Sequence, residues 1–551
     1  MNHRPCVLVL FSPLLASVAA AQLAQPGQPA SARHPQLVTD DVPAYVLPHP
    51  DVERLMREDE ERDNWPARYG AVIPAGYSSD DAGRWDDVPS GELVWRLRLV
   101  SPGARSLGLS FDRYELPASG KLFVHGRARG TLLGAFTRAT RQPNGMLAVQ
   151  PVLGDELWIE YVQDADDAGV PVLRIGEVVH DYRGILDGLF FENPVELLGG
   201  GCLVDVNCPI GAQHKDIKRS VLFMLFSGSF CSAGLLNNTA GDGTPYFLTA
   251  NHCGNMTNAV AVFGYENSGC GTGGATQAST ISGATLLAAS SRWDSQLYLL
   301  SATPPRSFQP FFAGWDRTAA QPGPAISISH PNGLPKKIAR DDDAPSNNGT
   351  RWQVIWEVGK LMPGSSGSPL FNGQERVIGP ACCVSDFNCD QWANYGRFGG
   401  FYDRFNLGQW LDPLATDPQG IDGFDPFQGQ IREHDGSGPS APIYVGSPSP
   451  KVGTTWSATI DTSSYPRATS TWIVGHRAPS PGTRTPWGEL LVDPRSPRVF
   501  FSAAPSVGGR AQHSCPIPNE PALIGRVVYT QGLILGRTPL ALTNGIELRL
   551  R

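Results

Sequence analysis

The placement of cysteine constrains this chain more than any other feature. Ten cysteines occur among 551 residues; eight fall between Cys202 and Cys389, none lies between residues 7 and 201, and Cys515 stands apart near the C-terminus. An even set confined to one stretch reads as the disulfide framework of a single domain, provided the chain passes through an oxidising compartment. A zinc site is the rival reading, but the spacings are long and irregular and no paired Cys-x-x-Cys units recur. The cysteine map marks a domain over about residues 199–425.

The N-terminus supplies the compartment. Met1 to Arg4 give a short basic start, Val7 to Val18 an apolar stretch broken by Ser12 and Pro13, and Ala19 to Ala21 a run of small residues before Gln22. This order of features is that of a secretion signal, expected over residues 1–21, which would remove Cys6. No later apolar run reaches the roughly 18 residues of a membrane span. The expected location is extracellular or periplasmic.

Composition narrows the fold class. With 61 Gly, 48 Pro and only 17% charged residues, the chain is rich in turns and poor in solvated helix, against an all-helical or coiled-coil protein. The glycines show no period of three, which excludes collagen. A net charge of -8 leaves no basic footprint for nucleic acid.

The flanks of the cysteine domain differ from it. Residues 22–90 hold few periodic apolar runs and polar clusters such as Arg57 to Asp63, so an extended or partly disordered lead-in is expected. From Glu92 the pattern alternates: Leu93, Trp95, Leu97, Leu99, then Leu107, Leu109, Phe111, and on through Leu157, Ile159, Tyr161 to Leu173, Ile175, Val178. Period two over short runs means half-buried strands, here a β-sandwich without cysteine. Residues 22–198 thus read as a propeptide, β-rich from about 90. The Gly, Ser and Pro of 426–455 read as a linker, and short apolar strands over 456–551 as a second β-sandwich. Its expected work is binding, anchoring or secretion, with a surface or polymer as partner.

The chemistry lies in the cysteine domain. In "PYFLTANHCG" a strand delivers His252 with Cys253 after it; in "MPGSSGSPL" Ser366 sits between small residues; "SSRWDSQLYLL" sets Asp294 before an alternating strand. A serine hydroxyl needs an adjacent base, which neutral His252 can be, and a buried carboxylate at Asp294 would hold the imidazole in the required tautomer. The backbone N–H groups of Gly364 and Ser366 could bind the oxyanion, with glycine at 364 and 367 allowing the turn. The histidines form no HExxH or other helical ligand pair, so neither a metal nor another cofactor is expected.

Together with "NNTAGDGTPYFLTA", "AGWDR" at Ala313 to Arg317, "SHPNG" near His330 and "YGR" at Tyr395 to Arg397, these motifs resemble the lysyl endopeptidase family of secreted bacterial serine proteases. The resemblance covers residues 200 to about 425. It implies an all-β, trypsin-like double β-barrel, with His252 as general base, Asp294 as its orienter and Ser366 as nucleophile acting on protein or peptide substrates. It further implies Cys208 paired with Cys270, Cys231 with Cys253, and Cys202 with one of Cys382, Cys383 or Cys389. The two cysteines left in that cluster could bond each other.

One departure bears on specificity. Where the family has an Asp two residues before "YGR" to bind the substrate lysine, this sequence has Ala393, with Cys382 as a further pocket candidate. A pocket lacking that carboxylate would leave a lysine ammonium unpaired. From Gly184 to His214, across the mature start expected near Gly199, there is no Lys or Arg. The expectation is an endopeptidase with an uncharged primary pocket. Two other readings compete with it: an inactive protease fold used for binding, and an adhesion or polymer-binding protein directed by its C-terminal domain.

Overall fold

The computed structural model describes residues 27–186 and 202–550, apart from short stretches at 38–41, 62–65, 128–131, 276, 278, 427–429, 435–442, 447–449, 521–522 and 524–525. Of the expected leader only Val7–Leu8 is described, as a strand beside Arg498–Pro505, and the connector 187–201 lies outside the described residues. Residues 19–424 and 425–551 are separate compact units, the latter taking in residues 1–18.

The larger unit begins with a sandwich. One sheet has the order Leu147–Leu153, Ser106–Glu115, Val172–Asp181, Gly70–Ser78; the other runs Ala44–Val46, Leu93–Val100, Glu156–Gln163, Lys121–Gly126, Leu132–Phe136. Successive strand residues face opposite sides, so Trp95, Leu97 and Leu99 meet Leu107, Leu109 and Phe111 in one core. The extended lead-in expected over 22–90 is largely built into this sandwich. Gly70–Ser78 is its edge strand, Arg84–Asp87 pairs with Leu93–Val100, and Val52–Glu60 is a helix whose N-cap Asp51 accepts from Arg54 N at 3.0 Å. The polar cluster near Arg57 is partly the outer face of that helix, and Asp59 is committed to Arg68, Tyr182 and Arg183.

The cysteine-bearing domain is made of two curled antiparallel sheets. The first has the order Ser279–Ser282, Val260–Phe263, Val221–Phe226, Ser229–Leu236, Tyr246–Thr249, Ser295–Leu300, Ala284–Ser290. The second runs Val204–Asp205, Lys337–Asp341, Ala325–Ser329, Pro369–Phe371, Val377–Val384, Trp392–Gly396, Arg351–Ile355, Ser346–Asn347. Each has its own apolar filling, and a third cluster joins them: Leu248 and Leu297 of the first meet Ile326, Ile328 and Phe371 of the second, covered by Phe398 and Phe401 of the helix Phe398–Phe405. The fold is the all-β double barrel that the sequence led one to expect. Disulfides join Cys202 to Cys389, Cys208 to Cys270 and Cys231 to Cys253, while Cys382 and Cys383 are thiols and do not bond each other.

Sandwich and first barrel share a seam. Ala67–Arg68 pairs antiparallel with Ser229–Phe230, and the N–H groups of Tyr69 and Gly70 both donate to Gly228 O, at 2.8 and 3.0 Å. Tyr69, Val179 and Ile185 pack with Phe223, Phe230, Val262 and Tyr265 in one apolar cluster.

The unit 425–551 is a second sandwich. Arg498–Pro505, Ser470–His476, Val527–Leu535 and Pro539–Arg549 form one sheet, and Tyr444–Gly446, Thr455–Asp461 and Arg510–Pro516 the other, over a core that includes Trp456, Phe500 and Cys515. The linker expected over 426–455 is correspondingly shorter. Gln430–His434 extends the first sheet along Gly545–Arg549, and Tyr444 is buried with its hydroxyl 2.9 Å from Thr530 Oγ1. Glycine and serine make a segment pliable, but pliable segments next to an open sheet edge can pair with it. Among the described residues no helix is long and apolar enough to cross a membrane.

Candidate active site

Strand register brings the first two groups together. Tyr246–Thr249 pairs with Ser295–Leu300 so that Thr249 faces Gln296, which sets His252, just past one strand, beside Asp294, just before the other. His252 lies in the single 3-10 turn Asn251–Cys253, ended by Gly254 at φ 85°, and the disulfide from Cys253 ties that turn to the neighbouring strand at Cys231. Asp294 adopts φ 45°, and its two carboxylate oxygens accept from His252 N at 2.8 Å and from Nδ1 at 2.7 Å. With the carboxylate on Nδ1, the other ring nitrogen is the one available to receive a proton. Nε2 of His252 is buried with no hydrogen-bond partner, so no bond joins it to Ser366 in this structure. Catalytic hydrogen bonds are often long before substrate binds.

The carboxyl of Asp294 is held below its ordinary range. Burial works to raise it, but hydrogen bonds from the His252 ring and main chain and from the Cys382 thiol outweigh that. Cys382 reaches it through a bulge: Ala381 faces Tyr395 and Cys383 faces Asn394, leaving Cys382 the extra residue. Cys382, expected in the substrate pocket, is thus placed against the carboxylate.

Ser366 is half-buried on a turn wedged against the strand that leads to His252. Its carbonyl accepts from Ser232 N at 2.8 Å, and Gly367 N donates to Ala381 O at 2.9 Å. Gly364 and Gly367 have φ 91° and 81°, and a Cβ on Gly367 would stand 2.2 Å from Thr249 Oγ1 and 2.3 Å from Ser232 O. Only glycine allows both that conformation and that approach. The Ser232 hydroxyl, which the sequence reading passed over, donates to Gly364 O at 2.9 Å and accepts from His330 N at 2.9 Å. The N–H groups of Gly364 and Ser366 donate to no backbone acceptor among the described residues.

Ala393 is wholly buried, facing Val354 on one side and Val384 on the other, in a cluster with Trp352, Trp356, Leu361, Ala381 and Tyr395. Asp386 and Asp390, on the loop that precedes Ala393, are exposed. Among the described residues no three His, Cys, Asp or Glu side chains are grouped to hold a metal ion.

A double β-barrel with a histidine–carboxylate pair on one barrel and a glycine-flanked serine turn on the other is the architecture of the trypsin-like serine proteases. More specifically, residues 198–393 match the family described as the lysyl endopeptidase C-terminal domain. Similar solved structures include a Glu endopeptidase in complex with MPD, 13% identical over 35% of this chain and 91% of that one with a TM-score of 0.27. A serine endoprotease from Yersinia pestis is 15% identical over 40% and 68%, with a TM-score of 0.25. A protease of M. tuberculosis in its active form is 14% identical over 39% and 87%, with a TM-score of 0.26.

Proposed function

We propose that residues 199–425 are a secreted serine endopeptidase, released from a propeptide at 22–198, that cleaves protein substrates through an acyl-enzyme on Ser366. The paired hydrogen bonds from His252 to Asp294 are the observation that carries this reading, because they fix the tautomer a general base needs. His252 Nε2 takes the Ser366 proton as its Oγ attacks the scissile carbonyl, then returns it to the leaving amine. The amides of Gly364 and Ser366 stabilise the oxyanion. Ala393 leaves no carboxylate for a substrate ammonium, so lysine is not the preferred side chain.

A fluorophosphonate probe tests the reading. Wild-type protein is expected to label on Ser366, and Ser366→Ala to lose both labelling and about 10⁴-fold or more of kcat/KM on a peptide substrate. An unlabelled wild type would favour the inactive binding fold. The C-terminal sandwich, bearing exposed Trp472 and Trp487, is the part proposed to hold a surface or polymer.

A further inference from the structure

Lys360 opens the segment that leads into Ser366, and its side chain is buried, with 4% of the residue exposed. Its ammonium donates to Phe387 O, and no ion pair joins it to a carboxylate among the described residues. Asp386, whose charge it feels, is exposed and accepts from Asn388 N at 2.7 Å. A lysine taken out of water without a carboxylate is costly to keep, and such groups gather where a ligand supplies the missing charge.

Lys360 adjoins the cluster that holds Ala393, the residue expected in the primary pocket. The next residue, Leu361, packs in the cluster that holds Ala393, and its N–H donates to Gln391 Oε1 at 2.7 Å. Gln391, two residues before Ala393, is wholly buried, and its side chain donates to Asp386 O at 2.6 Å. The Cys202–Cys389 disulfide anchors the same loop. Lys360 thus enters between the approach to the serine and the strand where the resembling family carries its lysine-binding carboxylate. In that family the pocket offers an anion to a substrate cation; here the anion is missing and the buried side chain is a cation.

We infer that Lys360 makes the primary pocket select an acidic side chain, glutamate or aspartate, on the residue whose carbonyl is attacked. This replaces the uncharged pocket expected from the sequence, and it rests on the endopeptidase reading above. A substrate carboxylate would complete the coordination of an ammonium that has one protein acceptor among the described residues, and a charge-assisted bond is the stronger kind of hydrogen bond. The connector 187–201 carries Asp187, Glu192 and Glu196 and no Lys or Arg, so the chain holds cleavage sites of this class where maturation is expected.

The test uses the secreted chain and peptides that differ only at that residue, Glu, Gln, Leu or Lys. Glu should exceed Gln in kcat/KM by about ten- to a hundred-fold, with Lys the poorest. In Lys360→Met the Glu-to-Gln ratio should fall to within about three-fold of unity; being internal to each enzyme, the ratio reads specificity however much of the variant folds. Wild-type protein that labels with the fluorophosphonate but cuts Gln or Leu as well as Glu overturns this inference and leaves the endopeptidase reading standing. A Lys360→Met ratio equal to wild type overturns it too. Protein that neither labels nor cleaves overturns both.

Discussion

At the scale of single residues, the site depends on how Asp294 is held. Asp294→Asn keeps the shape but offers an N–H where His252 Nδ1 needs an acceptor, and a fall of about 10⁴-fold in kcat is expected in steady-state assays. The depressed carboxyl also links stability to pH. Because its folded pKa lies below its ordinary value near 3.8, its contribution is present above that value and lost as pH falls through the folded one. Urea denaturation between pH 6 and 3 should therefore show wild type losing more stability than Asp294→Asn on the acid side. His252 and Ser366 stood out as candidates because "FLTANHCG" and "PGSSGSPL" are unusual strings, and Asp294 because it precedes an alternating strand. Lys360 did not, since a single lysine between glycine and leucine carries no pattern of its own, and its burial is decided by Leu361 and Gln391 meeting across the fold. Cys382 was assigned to the pocket for a similar reason: the bulge that turns it toward Asp294 leaves no mark in the residue pattern.

At the scale of elements, two tight contacts set the seam between the barrels. Gly367→Ala forces a Cβ into Thr249 Oγ1 and Ser232 O from a left-handed backbone, so chemical denaturation should report a loss of at least about 2 kcal/mol together with lost labelling. Removing the Cys231–Cys253 bridge as the double serine variant should cost about 2 to 4 kcal/mol in the same measurement, and should loosen the turn that carries His252. Alternating runs such as Leu93 to Leu99 announced their strands correctly, because period two reports a half-buried face. The strand Gly70–Ser78 escaped notice because its glycines, proline and small residues fill an edge without strong alternation. The strands inside the expected linker escaped for a different reason: what orders them is the open edge at Gly545–Arg549 and the pocket for Tyr444, both about a hundred residues away.

At the scale of the molecule, the chain divides where the sequence changed composition, close to residue 425. Because the unit 425–551 has its own core, calorimetry should resolve its unfolding from that of residues 19–424, and truncation after Phe424 should leave fluorophosphonate labelling intact. A last consequence follows from the two-residue strand Ala67–Arg68. It occupies an edge of Ser229–Leu236, and the apolar patch formed by Phe223, Phe230, Val262 and Tyr265 is closed by the same sandwich. Under the proposed release of residues 22–198, the barrel would bare main-chain donors and acceptors beside greasy surface, the combination through which sheets from different molecules stick to one another. Colloidal behaviour is therefore tied to proteolysis: light scattering should find the uncut chain monodisperse and the cut barrel, once its sandwich is washed away, prone to self-association that rises with concentration.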